Sequence, residues 1–197
     1  MSGPRIPLPS PDEMNEAQRD LYDRILASPT RGMNGPQRAN IHSPELAEAW
    51  WRLGDTLRSR TVLPPRLTEL AIIVVGRRWN SQVEFHVHGA AAVKAGVDAA
   101  IVEAIRVAAP PPIRDQEERE VYEFARQIQV NGEPDDDAYA AIRARWGERG
   151  VVELTALIGF YTMVSVALNA HRIPLPAGAP PALEPAEGFT NLHTARA

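Results

Sequence analysis

The sequence predicts an all-α protein, and two observations support this fold class. Apolar residues recur at helical spacing in successive segments, and each segment is bounded by capping residues, glycine or proline. No segment alternates apolar and polar residues between turn signals, and the β-branched residues fall inside helical runs. With 197 residues, 44% of them apolar, the chain can form a single domain with a buried core.

The composition argues against several classes of function. A formal net charge of -4 and the lack of a basic stripe argue against nucleic-acid binding. The sequence contains no cysteine, which excludes disulfides, thiolate catalysis and cysteine-based metal sites. No apolar segment follows the first basic residue near the N-terminus, as a secretory signal would require, so we expect a cytoplasmic protein.

The N-terminal part of the chain is expected to hold an extended segment followed by two helices. Residues 1–9 are punctuated by proline and should be extended. Ser10–Glu13 offers a capping-box pattern, and the first helix is predicted to run from about Pro11 or Asn15 to Ala27. Residues 30–40 contain glycine and proline and are predicted to form a loop, and the next helix starts at Ser43-Pro44.

A helix–break–helix hairpin is predicted at the centre of the chain. Its first arm runs roughly from Pro65 to Arg78, and its second arm from Ser81 to Ala95, where Gly96 closes it. The three helices that follow begin at aspartate caps, which are Asp98, Asp115 and the run from Asp135 to Asp137.

The apolar run from Val151 to Ala170 has the length of a transmembrane helix, which needs roughly 20 residues. Polar residues interrupt it and no basic flank sets an orientation, so we expect a buried core helix and no membrane partner. Pro174 and Pro176 prevent its continuation, and the helical domain is predicted to cover residues 10–173. The Pro-rich tail, residues 174–197, lacks periodicity and is predicted to be extended or disordered, or draped over a neighbouring subunit.

A weak internal repeat relates the central hairpin to the last helix. Glu69 is followed by an apolar run to Ser81, and Glu153 is followed by an apolar run to Ser165, with the same glutamate-to-serine separation. The first copy continues into an acid–histidine pair that the second copy lacks. One interpretation is a duplicated hairpin that kept polar chemistry in its first half, and the alternative is chance agreement at a few positions.

The stretch ELAIIVVGRRWNSQVEFHVH carries the candidate catalytic residues. Ser81, Glu84 and His88 share one face of the second arm because they lie at i, i+3 and i+7. Glu69 lies in the buried first arm, where a carboxylate should be hydrogen-bonded or have a raised pKa. Glu84 beside His88 favours the imidazolium, and a histidine that titrates near neutrality suits general acid–base exchange.

The same residues also have structural explanations. Ser81 and Glu84 fit the S-x-x-E pattern of a capping box, and Glu84 and His88 could form an ordinary helix-surface pair. The E-x-H-x-H pattern around His86 lacks the i, i+4 histidine pair of a helical zinc site, and no distant ligand set is evident. We therefore predict no metal site.

Several further residues are candidate substrate contacts. Ser81 begins a helix, and the N–H groups of a helix N-terminus can hold a carboxylate or enolate oxygen. Arg77 and Arg78 could neutralise an anionic substrate, although most arginines at helix ends are solvated or structural. His42 precedes a helix cap in a loop that could face a cleft. The remaining candidates are His86, which is more often a packing or surface residue, and Tyr161.

These motifs resemble the carboxymuconolactone decarboxylase family, whose superfamily includes the AhpD-like alkylhydroperoxidases. The resemblance rests on R-x-x-E-L from Arg66, on S-x-x-E-x-x-x-H from Ser81 to His88, and on A-x-x-x-G from Ala92 to Gly96. With the segment that begins at Ser43-Pro44 and the terminal apolar helix, it spans roughly residues 40–178.

The resemblance implies an AhpD-like helical bundle that assembles into homotrimers or homohexamers. In the peroxidase branch, a CxxC pair stands where this chain has Ser81 and Glu84, and the glutamate and histidine around it match Glu69 and His88. Because dithiol chemistry cannot operate without cysteine, the resemblance favours the decarboxylase branch, which needs no cofactor.

That branch implies a carboxy-lyase that acts on a small anionic lactone from aromatic breakdown, or a related isomerase or hydrolase. His88 would be the proton donor, Glu84 would hold it, and Glu69 would orient the pair or relay a proton. The alternative is an AhpD-like protein that binds a small ligand, or only oligomerises, without catalysis.

Overall fold

The computed structural model describes residues 3–27, 32–33, 35–184 and 188–195. Within these ranges the chain contains helices and no β-strand, so the all-α prediction is confirmed. The eight α-helices of the described ranges are α1 (Glu16–Leu26), α2 (Gln37–Asn40), α3 (Pro44–Ser59), α4 (Pro65–Arg78), α5 (Gln82–Ala95), α6 (Ala99–Arg106), α7 (Gln116–Asn131) and α8 (Asp136–His171). A short 3-10 helix, Pro11–Glu13, precedes α1.

Local capping explains where four of the eight α-helices of the described ranges begin. The backbone N–H of Ser10 donates to the Glu13 carboxylate at 2.8 Å, but this capping box closes only the short 3-10 helix. The α-helix α1 starts afterwards, where Asn15 accepts a hydrogen bond from the backbone N–H of Gln18. Each of the three predicted aspartate caps accepts a backbone N–H of its own helix, at Asp98, Asp115 and Asp135.

The helix α4 lies at the centre of the fold. Every residue from Leu67 to Arg77 is buried, and α4 contacts α5, α6, α7 and α8. A helix that is apolar on all sides is stable only when other elements surround it. Any polar side chain of α4, including that of Glu69, therefore has to find its partner inside the protein.

The helix α8 joins two predicted helices into one element of 36 residues, with a non-helical residue at Gly147 (φ 67°). By length and composition alone it could cross a membrane, and 50% of its most apolar stretch is buried inside the fold. It continues through Ser165 without a break, whereas the central hairpin breaks at Asn80, whose φ is 50°. The weak repeat therefore does not form a second hairpin.

The described part of the Pro-rich tail, residues 174–184 and 188–195, contains no helix or strand but packs on the chain's own core. Leu183 and Leu192 are buried there. The Gln82 side chain accepts hydrogen bonds from the backbone N–H groups of Ala182 and Leu183 and donates to the Leu183 carbonyl. The tail thus covers the junction between α4 and α5 of its own chain.

Candidate active site

The two arms of the central hairpin bring Glu69, Glu84 and His88 together. The Nδ1 atom of His88 forms a 2.6 Å hydrogen bond with Oε2 of Glu69. The Nε2 atom lies 3.0 Å from Oε1 of Glu84, in a close ion pair that is not aligned as a hydrogen bond. The three residues are only 8%, 4% and 5% exposed, respectively. Both ring nitrogens of a buried histidine therefore face carboxylates.

The two carboxylates control the protonation of His88. Burial alone would lower the pKa of His88, because it disfavours the charged imidazolium. The charge of Glu84 and the hydrogen bond that His88 donates to Glu69 outweigh burial and raise the pKa of His88 to about 9. At neutral pH the histidine is therefore protonated and carries a positive charge between two acidic side chains.

The geometry of α5 rules out the capping-box explanation of this cluster. Ser81 is the N-cap residue of α5, but its side chain forms no capping hydrogen bond. The Glu84 side chain turns towards His88, one helical turn further along. Since His88 is buried, an ordinary helix-surface pair is excluded as well.

Tyr161 is the candidate residue that α8 adds to this centre. Its ring lies edge-on against the His88 ring, with centroids 5.1 Å apart and an interplanar angle of 81°. Tyr161 also packs edge-on against Phe160, which in turn contacts Trp50 of α3. Aromatic side chains thus form the wall of the centre on the side of α8.

The two arginines of the hairpin bind groups outside the His88 cluster. Arg77 is buried, and its guanidinium donates to the side chain of Asn80. Burial lowers the pKa of Arg77, and nearby Arg106 lowers it further. Arg78 donates to the backbone carbonyls of Gln129 and Thr190 and so holds the tail. The structure gives Arg78 a structural role rather than a place beside His88.

The two remaining histidine candidates do not join the His88 cluster either. His42 is exposed, and its Nε2 lies 2.8 Å from the carbonyl of Pro7, in a shallow cleft near the N-terminus. His86 is half-buried on α5, two residues from both Glu84 and His88 and on a different side of the helix. Within the described ranges, no group of three or more histidine or acidic residues is arranged to hold a metal ion.

Two residues that the sequence did not single out for a role in the site are relevant to it. An Nη atom of Arg58, in the last turn of α3, lies 4.0 Å from Oε1 of Glu69, the carboxylate oxygen that does not bond His88. Nothing in the sequence links Arg58 to Glu69, because the contact arises from the packing of α3 against α4.

The second of these residues, Ser165 of α8, is fully buried. Its only sequence signal is the weak repeat, which pairs it with Ser81.

The family comparison agrees with the motifs. Residues 44–127 match the model of the carboxymuconolactone decarboxylase family. This range begins with α3, contains the whole Glu69–His88 hairpin and ends inside α7. This stretch of the chain therefore matches the carboxymuconolactone decarboxylase family, and the resemblance expected from the sequence is confirmed. No curated protein matches the chain significantly.

Solved structures show the same fold at low sequence identity. An uncharacterized peroxidase-related protein from Ralstonia eutropha, described as an alkylhydroperoxidase AhpD core, has a TM-score of 0.70 at 13% identity, over 88% of this chain and 93% of that one. A peroxidase-related protein from a Silicibacter species has a TM-score of 0.68 at 15% identity, over 88% of this chain and 91% of that one.

A third similar structure comes from the debrominase Bmp8, solved as a cysteine-to-alanine variant in complex with 2,3,4-tribromopyrrole. Its TM-score is 0.65 at 17% identity, over 90% of this chain and 94% of that one. These likenesses establish an AhpD-like fold for this chain.

Proposed function

We propose that this protein is a cofactor-free carboxy-lyase of the carboxymuconolactone decarboxylase type, or a related lactone isomerase or hydrolase, with a small anionic lactone as its substrate. The observation that carries the proposal is His88, buried between Glu69 and Glu84 and protonated at neutral pH. A positioned, buried proton donor is what acid–base catalysis requires. The family match over residues 44–127 supports this class of reaction.

The geometry suggests a division of roles among the three residues. Glu69 holds Nδ1, which fixes the ring and stabilises the imidazolium. Nε2 is then the nitrogen that exchanges its proton, and Glu84 is the group that faces it. Glu84 would pass the proton between His88 and the ligand. The sequence had suggested instead that Glu84 holds the ring and that Glu69 stands behind the pair.

These residues alone can supply the proton that the decarboxylation requires. The bond between the carboxylate and the lactone ring breaks, CO₂ leaves, and the electron pair enters the unsaturated lactone as a dienolate. The Nε2–H of His88 gives its proton to the Glu84 carboxylate, which passes that proton to carbon and is left ionised. His88 is left neutral, and a proton from solvent restores it.

Arg58 is a candidate to attract the substrate. Its Nη2 lies 4.0 Å from Oε1 of Glu69, and 38% of its side chain is exposed. A half-exposed guanidinium can bind an incoming carboxylate and remain in contact with solvent. It would take the role that the sequence suggested for Arg77 and Arg78.

Two other functions are alternatives to the carboxy-lyase. A non-catalytic ligand-binding protein would suit the fact that both His88 nitrogens already face carboxylates of the same chain. The second alternative is a peroxidase, as the names of two similar structures suggest. Dithiol peroxide reduction needs cysteine, however, and this sequence has none.

The test is CO₂ release from 4-carboxymuconolactone by the wild type and by His88→Gln. We expect turnover by the wild type and a loss of at least ~100-fold in the variant, as for removal of a general acid. His171→Gln at the end of α8 is the matched control and should retain activity. A folded His88→Gln protein with undiminished turnover would refute the role of His88, and an inactive wild type that still binds the lactone would favour the ligand-binding alternative.

A further inference from the structure

Two serine hydroxyls are buried in the α4–α5–α8 region without a hydrogen-bond partner. Ser81 and Ser165 are both 0% exposed, and the Oγ atom of each has no partner among the described residues. Oε1 of Glu84 is likewise buried and has no hydrogen bond, only its ion pair with His88. Buried polar groups are nearly always hydrogen-bonded, because removing them from water is otherwise unfavourable.

Two contacts of α8 fix where Ser165 lies. Tyr161 packs against His88, and two turns later Nδ2 of Asn169 donates to the backbone carbonyl of Trp79 at 2.7 Å. Ser165 is midway between Tyr161 and Asn169 and shares their face of α8, because the three residues are four apart. It therefore faces the segment of chain that connects Trp79 to His88.

That segment carries Ser81 and Glu84. Ser81 is the N-cap of α5 and Glu84 is the third residue of the helix, so both lie in its first turn. Ser165 faces this part of the chain from α8. The two serines that are equivalent in the weak repeat therefore belong to facing elements, near the carboxylate that faces His88.

We propose that Ser81 and Ser165 form a subsite for a carbonyl oxygen of the ligand, which becomes an enolate oxygen during reaction. The inference rests on the proposed function, for which it names the group that is bound. Two hydroxyl donors lie next to the N-terminus of a 14-residue helix, whose first N–H groups have no intrahelical partner. Because Glu84 already places a negative charge in this turn, a neutral carbonyl is a better occupant than a carboxylate.

The test compares two ring acids that differ only in the carbonyl. The lactone acid is 5-oxotetrahydrofuran-2-carboxylate, and the ether acid is tetrahydrofuran-2-carboxylate. Calorimetry should show that the wild type binds the lactone acid ~10-fold more tightly, since hydrogen bonds that only the carbonyl can accept are lost with the ether. Ser81→Ala and Ser165→Ala should each lose most of this preference. The exposed Ser59→Ala is the control and should keep it.

A spectroscopic readout separates binding from a merely structural role. With a ¹³C-labelled lactone carbonyl, the infrared C=O stretch of the bound acid should shift to lower frequency in the wild type and move back towards the free value in Ser165→Ala. A change of packing alone would alter the melting temperature without moving this band.

The outcomes distinguish the subsite from the reaction. Carbonyl preference without turnover of 4-carboxymuconolactone supports the subsite and contradicts the carboxy-lyase. If the wild type turns over 4-carboxymuconolactone and both serine variants keep the preference for the lactone acid, the subsite is overturned and the carboxy-lyase is supported. If the wild type binds the two acids equally, or binds neither, the subsite is overturned.

Discussion

The free energy of unfolding should fall as the pH is raised, because the folded protein holds the proton of His88 more tightly than the unfolded chain does. The pKa of His88 is raised from 6.5 to about 9 by the two carboxylates, against the effect of burial. A raised pKa in the folded state contributes stability that is fully present below pH 6.5 and is lost as the pH rises through about 9.

The size of this contribution follows from the interval between the two pKa values. Each pKa unit corresponds to ~1.4 kcal/mol, so the rise of the His88 pKa is worth roughly 3 kcal/mol. His88 is 5% exposed, so solvent screens this contribution little. The loss should be steepest between pH 7 and 9, at up to ~1.4 kcal/mol per pH unit.

Urea unfolding of the wild type and of His88→Gln at a series of pH values from 7 to 10 measures this effect. Subtracting the variant from the wild type cancels the titration of groups that the two proteins share. We expect the difference in unfolding free energy to shrink by most of the ~3 kcal/mol across the series. A difference that stays constant, or that grows with pH, would refute the assignment of a buried imidazolium.

Three further predictions concern other parts of the molecule. Arg58→Gln should raise the KM for an anionic lactone ~10-fold with little change in kcat, because uniform binding of the carboxylate is lost, whereas Arg60→Gln should not. We also propose that the chain forms homotrimers or homohexamers through the exposed apolar face of α8, and Met163→Glu, at a residue that is 40% exposed, should dissociate them in light scattering. Gln82→Ala should lower the unfolding free energy in urea by ~1–3 kcal/mol, because three hydrogen bonds to the tail are lost.

Each of these predictions has a contrary result. Equal KM values for Arg58→Gln and the wild type would remove Arg58 from substrate binding. A wild type that is monomeric at micromolar concentration would contradict assembly through α8. Unchanged stability of Gln82→Ala would mean that the tail does not depend on this side chain.

Short-range chemistry made several elements predictable. A cap such as Asp115 and the N–H that it bonds lie three residues apart, so the helix start can be derived from the sequence. The shared face of Glu84 and His88 follows in the same way from helical spacing. Glu69 was expected to need a partner because it lies in a helix that is apolar on all sides, and the structure supplies His88.

The contacts that the sequence did not predict depend on packing between distant parts of the chain. Arg58 reaches Glu69 only because α3 packs against α4, and no local pattern records this contact. Arg78 is close to the site in sequence, yet the tail uses its guanidinium. The tail itself shows no helical periodicity, because no apolar helix face attaches it to the core. Hydrogen bonds from side chains such as Gln82 to its backbone hold it there instead.

His88 is a buried imidazolium held by two carboxylates, placed to transfer a proton. The most direct measurement is an NMR titration of the ¹⁵N-labelled imidazole of His88, assigned by comparison with His88→Gln. We expect both ring nitrogens to stay protonated through pH 7 and the transition to fall near pH 9. A transition near 6.5, as for a solvated histidine, would contradict it.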